Sequence, residues 1–170
     1  MARISYADQS NPEIAPLIGR IKKERGKVLN LYAMLLHSPP VAEGWLKFFT
    51  AIRQQGSLSG RLRELVIMHI AVINKAEYEF AQHVPFALKE GITQAQLDAL
   101  REGRLDAFED LERSVLAYAD SMTREVHVPD AVFDAVRPRF NERELVELTA
   151  TIAGYNLVSR FLEALEIDQE

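Results

Sequence analysis

A chain of 170 residues, 48% hydrophobic and 26% charged, has the composition of a soluble globular protein and enough length to bury a core as one domain, residues 1–170. A net charge of -5 and a pI near 5.5, with no extended basic patch, exclude non-specific nucleic-acid binding. The absence of cysteine excludes disulfides, thiolate metal sites and thiol redox chemistry.

The polar opening MARISYADQSNPE lacks the apolar core of a signal peptide. No apolar run approaches the ~18 residues of a membrane span, so a cytoplasmic protein without membrane contact is expected. After ten irregular residues, Asn11 and Pro12 open a helix carrying Ile14, Leu17, Ile18 and Ile21, which Pro16 and Gly19 should shorten or bend. Gly26 ends it after the basic turn Lys22 to Arg25. Leu29 to Leu36 is a short apolar helix stopped by Ser38-Pro39-Pro40. Pro40 suits the first turn of the next, Val41 to Gln55, whose Trp45, Phe48 and Phe49 suit a core or a subunit interface.

Gly56 and Gly60 bracket a turn into the central stretch, Arg63 to Gly91. Its first helix is apolar almost all the way round, with Leu65-Val66-Ile67-Met68 and Ile70-Ala71-Val72-Ile73, and so belongs in the interior of a bundle or oligomer. Asn74-Lys75 marks a break. A second helix, about Ala76 to Glu90, contains Pro85 and ends at Gly91. Thr93-x-x-Gln96 is a capping-box start, and Asp106-x-x-Glu109 a looser one for the helix that runs to Thr123. Pro129 begins a helix through Val136, and Asn141-x-x-Glu144 starts the last long one, to about Leu165. No segment sustains a two-residue alternation, so the chain reads as all-α.

Arg63-Glu64-Leu65-Val66 returns as Arg143-Glu144-Leu145-Val146, a weak internal echo in which both copies open long apolar helices. Two such segments packed antiparallel would form the core. The echo places Ser159 and Glu163 opposite Glu79 and His83, so a single active site would belong to the first copy.

Three proton-transfer groups lie in or beside this apolar mass: Glu64, Glu79 and His83. Glu79 precedes His83 by one helical turn, at the spacing that lets side chains touch. Ala76 and Ala87 fall roughly 20° and 40° to one side of His83 on a helical wheel, and such small neighbours leave space for a pocket. Burial raises a carboxyl pKa and a nearby carboxylate raises that of an imidazole, which brings both toward neutral pH and suits general acid–base catalysis. The same spacing equally describes a surface Glu–His contact. Two carboxylates and an imidazole also suit non-haem iron or zinc, although the pattern is one histidine short of H-E-x-x-H. His37 and His69 read as structural, and His127 as a solvated loop residue.

The segment R-E-L-V-I, then A-x-I-N, then A-E-Y-E-F-A-Q-H-x-x-x-A with G-I-T, resembles the carboxymuconolactone decarboxylase family, which includes the alkylhydroperoxidase D-like proteins. Leu35 to Pro39 upstream and Glu144 to Asn156 with Phe161-Leu162 downstream extend the resemblance over most of the chain. It implies an alkylhydroperoxidase D-like helical bundle that assembles as a homotrimer or homohexamer, with pockets near subunit contacts. In the peroxidase branch, C-x-x-C is followed four residues later by histidine, and a glutamate on the preceding helix completes a proton relay. The glutamate and histidine positions match Glu64 and His83, while the cysteine positions hold Ala76 and Glu79. Thiol peroxidase chemistry is therefore excluded, since its nucleophile is a thiolate. What remains is a cofactor-independent lyase or isomerase acting on a small carboxylated or lactone-like compound, with neither metal nor cofactor. In that reading His83 is the general acid or base, Glu79 orients and tunes it, and Glu64 relays protons. A non-catalytic oligomer that keeps the fold is the remaining alternative.

Overall fold

Local capping signals explain most of the helix starts. Asn11 accepts from the backbone N–H of Glu13 and opens a 3-10 turn, Pro12–Ile14, that leads into α1, Ala15–Arg25. Pro16 sits in the first turn of α1, where its missing N–H costs nothing, so the helix runs on through Gly19. Gly26, at φ +82°, closes it. Then come α2, Asn30–Leu35, and α3, Pro39–Thr50, which passes into a π-helical turn at Ala51–Gln55. Next are α4, Gly60–Asn74; α5, Glu77–Lys89; α6, Gln94–Arg101; α7, Asp110–Arg124; α8, Asp130–Val136; and α9, Glu142–Leu165. This computed structural model describes residues 1–170 and contains no strand. None of its helices is long and apolar enough to cross a membrane.

The chain packs as two units, one formed by Met1–Gln55 with Leu162–Glu170, the other by Gly56–Phe161. Within the first, the Arg25 guanidinium is buried and donates to the Tyr32 hydroxyl at 3.2 Å and to Thr50 Oγ1 at 2.8 Å. Trp45 and Phe49 are buried there with ring centroids 5.1 Å apart, whereas Phe48 is exposed. His37 Nε2 lies 2.7 Å from the Ser5 carbonyl, a structural use of that ring.

The second unit is built around α4, whose Leu65, Val66, Ile67, Met68 and Ile70 are all fully buried. Burying each such side chain contributes roughly 1.5–3 kcal/mol, which fixes α4 as the central helix. Its main partners are α5 and α7. One continuous cluster joins Leu65 and Met68 to Phe80 and Ala87 of α5, Leu97 and Leu100 of α6, and Leu116 of α7. Lys75, in the left-handed region at φ +57°, ends α4 and turns the chain into α5. The α5 helix continues through Pro85, which lies on its exposed side.

Thr93 and Gln96 form the expected capping box of α6, and Asn141 and Glu144 exchange the two bonds of another at the start of α9, at 3.2 and 2.9 Å. The start of α7 differs from the expectation. Glu109 is the cap, with Glu112 as its partner, and Asp106 lies before the helix. A glutamate reaches the N–H three residues on just as a shorter acceptor does, and Glu112 is further held by Arg61 Nε at 2.7 Å.

The turn before α4 is tied from a distance. Glu147 of α9 accepts from the backbone N–H groups of Ser57 and Leu58, at 2.6 and 2.9 Å, from the Ser57 hydroxyl, and from Arg143 Nε. Burial acts to raise its pKa, but Arg143 and the three donors outweigh it and push the carboxyl down to about 2. A folded-state pKa below the unfolded one stabilises at pH above about 4.5, and that contribution is lost as pH falls toward 2. Glu147→Ala is expected to cost about 1–2 kcal/mol at pH 7 by denaturant melts, with the deficit shrinking at pH 3. A pH-independent deficit would contradict this account.

Candidate functional site

Helix α4 carries Glu64 in its first turns and α5 carries Glu79 and His83, and all three side chains are buried, at 1%, 2% and 7% exposure. A buried carboxylate must be paired to be tolerated. Glu64 is paired at both oxygens. Oε2 lies 2.7 Å from His83 Nδ1, and Oε1 accepts from Arg63 Nε at 3.2 Å. The imidazole is thus gripped from a neighbouring helix.

This geometry revises the expected division of roles. The orienting hydrogen bond to His83 comes from Glu64, whereas Glu79 accepts a hydrogen bond from the Ser159 hydroxyl of α9. The i, i+4 spacing within α5 permits a Glu79–His83 contact, and the packing of α4 and α9 brings Glu64 to the imidazole and Ser159 to Glu79. Ser159 is the position that the internal echo sets opposite Glu79.

Two aromatic rings flank the imidazole. Tyr155 of α9 is buried and meets it nearly edge-on, with centroids 5.2 Å apart and planes at 88°. Phe86, one turn along α5, lies at 5.7 Å and is 44% exposed. These contacts restrict rotation of the ring and leave its environment apolar. The contact of Nδ1 with Glu64 makes the two ring nitrogens inequivalent and fixes which edge of the imidazole faces α4.

Ala76 and Ala87 are fully buried, and Ala87 is close-packed in the core cluster with Leu65, Phe80 and Leu97. Their small size lets α5 approach its neighbours closely. Sequence reading also passed over Arg63, Tyr155 and Ser159 as site residues. The echo set Ser159 opposite Glu79 only as a position without a proton-transfer group, and nothing local singles out the other two.

Beside Asn74, at the end of α4, a second polar group forms, in which Asn74 Nδ2 donates to Asn156 Oδ1 at 3.0 Å and Asn156 Nδ2 to Thr123 Oγ1 at 2.9 Å. Every member is hydrogen-bonded, as a buried polar network requires. No three histidine, aspartate or glutamate side chains converge closely enough to hold a metal ion. His127 is an exposed loop residue and His69 is buried in α4.

Residues 39–121, which contain Glu64, Glu79 and His83, match the sequence profile of the carboxymuconolactone decarboxylase family. Over those residues the chain belongs to that family. No curated protein sequence matches it. Among solved structures, a peroxidase-related protein from Silicibacter sp. superposes with a TM-score of 0.83 at 18% identity, over 99% of this chain and 90% of that one. An alkylhydroperoxidase D core protein from Ralstonia eutropha gives 0.84 at 19% identity, over 99% and 92%. A variant of the debrominase Bmp8, in complex with 2,3,4-tribromopyrrole, gives 0.82 at 19%, over 100% and 94%. At such identities the likeness shows the fold alone, an alkylhydroperoxidase D-like all-α architecture. This family member lacks cysteine, so the thiol chemistry of a peroxidase has no nucleophile here.

Proposed function

We propose that this member of the carboxymuconolactone decarboxylase family is a cofactor-independent lyase or isomerase acting on a small carboxylated or lactone-like compound. The buried hydrogen bond between His83 Nδ1 and Glu64 carries the reading. A histidine anchored at Nδ1 by a buried carboxylate has its tautomer and direction set, which is what a general acid–base catalyst needs. In a decarboxylation, the breaking carbon–carbon bond leaves its electron pair on an unsaturated carbon framework as carbon dioxide departs. The imidazolium would stabilise that developing dienolate and then deliver its Nε2 proton to carbon, while Glu64 steadies the positive ring before the transfer. The next substrate or solvent proton restores the imidazolium. Glu79, held by Ser159, places a second carboxylate group one turn from the ring and shapes the polarity of the site. Self-association as a trimer or hexamer belongs to the same proposal.

The test is a screen of unsaturated lactones and β-keto acids for carbon dioxide release, followed by His83→Ala on any substrate found. The expected loss is about 10²–10⁴ in turnover, the range for a general acid–base group. Undiminished turnover by a folded His83→Ala protein would remove His83 from the mechanism.

A further inference from the structure

Arg63 stands next to Glu64 in α4, and its role is not explained by helix formation. Its Nε donates to Glu64 Oε1, the oxygen that His83 does not use, and its Nη2 lies 3.9 Å from Glu90 Oε1 at the end of α5. The side chain is mostly buried, at 16% exposure, so these charges feel one another through little solvent. The position of Glu90 depends on a further residue. Its carboxylate lies over Gly60 at the start of α4, in the space that a Cβ at that position would occupy. The result is a line of alternating charge, Glu90, Arg63, Glu64 and then the His83 ring, closed on itself because its two ends both belong to α5.

We infer that Arg63, drawn between Glu64 and Glu90, sets how much of the Glu64 charge reaches His83 and thereby tunes the protonation of that imidazole. The inference rests on the Glu64–His83 pair described above as the catalytic dyad, and it makes Arg63 a positioning residue. A carboxylate favours the imidazolium it touches. Each positive charge on that carboxylate subtracts from the effect, and each negative charge on the arginine restores it. Two further titratable groups are near the ring: Glu79, one turn before it on α5, and Tyr155 on α9, whose ring meets it edge-on. Neither lies on the line from Glu90.

The signs are therefore opposed along the line. Arg63→Met removes the compensating cation, so His83 should hold its proton to higher pH. Glu90→Gln leaves Arg63 wholly to Glu64 and should let the proton go at lower pH. Gly60→Ala should act in the same direction as Glu90→Gln, because the new methyl displaces the flexible Glu90 side chain, while alanine is the better helix former.

The measurement is a titration of the histidine ring resonances by NMR, with the His83 signals identified as those missing in His83→Gln among the four histidines of the chain. Arg63→Met is expected to raise the His83 midpoint by roughly 0.5 unit or more, less than the roughly 1–3 units of a charge in direct contact, because Arg63 acts through Glu64. Arg63→Lys should keep it near the parent value, and Glu90→Gln and Gly60→Ala should lower it. A midpoint unmoved in Arg63→Met, or moved downward, overturns the inference. Should that variant fail to fold, an unmoved midpoint in Glu90→Gln overturns it instead. The readout needs no substrate, so its failure leaves the catalytic reading of His83 standing. Loss of that reading in the turnover assay would leave the tuning intact.

Discussion

Glu64→Ala is expected to be the most damaging single change in the second unit, lowering stability by about 3 kcal/mol and turnover by about 10²-fold or more. The stability loss follows from what the carboxylate balances. Its two oxygens hold a guanidinium and an imidazole in a region where Glu64 itself is 1% exposed. Deleting one partner of a buried pair costs more than the pair contributes, because the charge left behind was desolvated to make it. In a chain of this size such a loss corresponds to a fall of roughly 6–12 °C in melting temperature. Glu64→Gln separates the two effects. The amide keeps the volume and offers His83 Nδ1 a hydrogen-bonding group, so the thermal loss should be smaller. The negative charge that favours the imidazolium is gone, so the turnover loss should persist. Thermal melts and the carbon dioxide assay on both variants decide the matter. An alanine variant as stable as the parent would mean that the pair is solvated in solution.

Acid should destabilise the protein through His69. This ring is buried in α4, and neither of its nitrogens has a hydrogen-bond partner. Burial pushes its pKa down to about 4, opposed by Asp120, whose carboxylate lies 3.7 Å from Nε2, and assisted by the Arg124 cation. Between about pH 6.5 and pH 4 the unfolded chain takes up a proton at this site and the folded chain does not, so stability falls as the pH drops through that window. The contribution is complete above about pH 6.5 and amounts to roughly 3 kcal/mol, from 1.36 kcal/mol per pH unit. His69→Met removes the titrating ring and keeps an apolar side chain in its place. The stability of that variant should be nearly level between pH 6.5 and pH 4.5 where the parent's declines. Parallel curves for the two proteins, from denaturant unfolding at each pH, would place the acid sensitivity elsewhere. The variant should be at least as stable as the parent at pH 7, since an imidazole with no hydrogen bond is costly to bury.

The helices and their ends were written locally. Asn11, Thr93 with Gln96, and Asn141 with Glu144 cap the helices they precede, because a capping bond spans only three residues and needs nothing from the rest of the chain. The apolar surface of residues 65–71, interrupted only by His69, likewise required a central helix. The lack of cysteine decided against thiol chemistry before any fold was known. Asp106 shows the limit of such reading: Glu109, three residues on, takes the cap of α7.

Glu64, Glu79 and His83 were legible as candidates because polar groups inside an apolar stretch must be paired. Which partner each would take was not legible. His83 meets a carboxylate 19 residues away in the chain and Glu79 meets a hydroxyl 80 residues away, contacts that exist only once α4, α5 and α9 lie side by side. The placement of Arg63 between two carboxylates and of Tyr155 against the imidazole is of the same kind. Residue type and periodicity state which groups cannot face water alone, since desolvation is a property of each side chain. The identity of the group that satisfies them is a property of distance, and distance is set by how the helices pack.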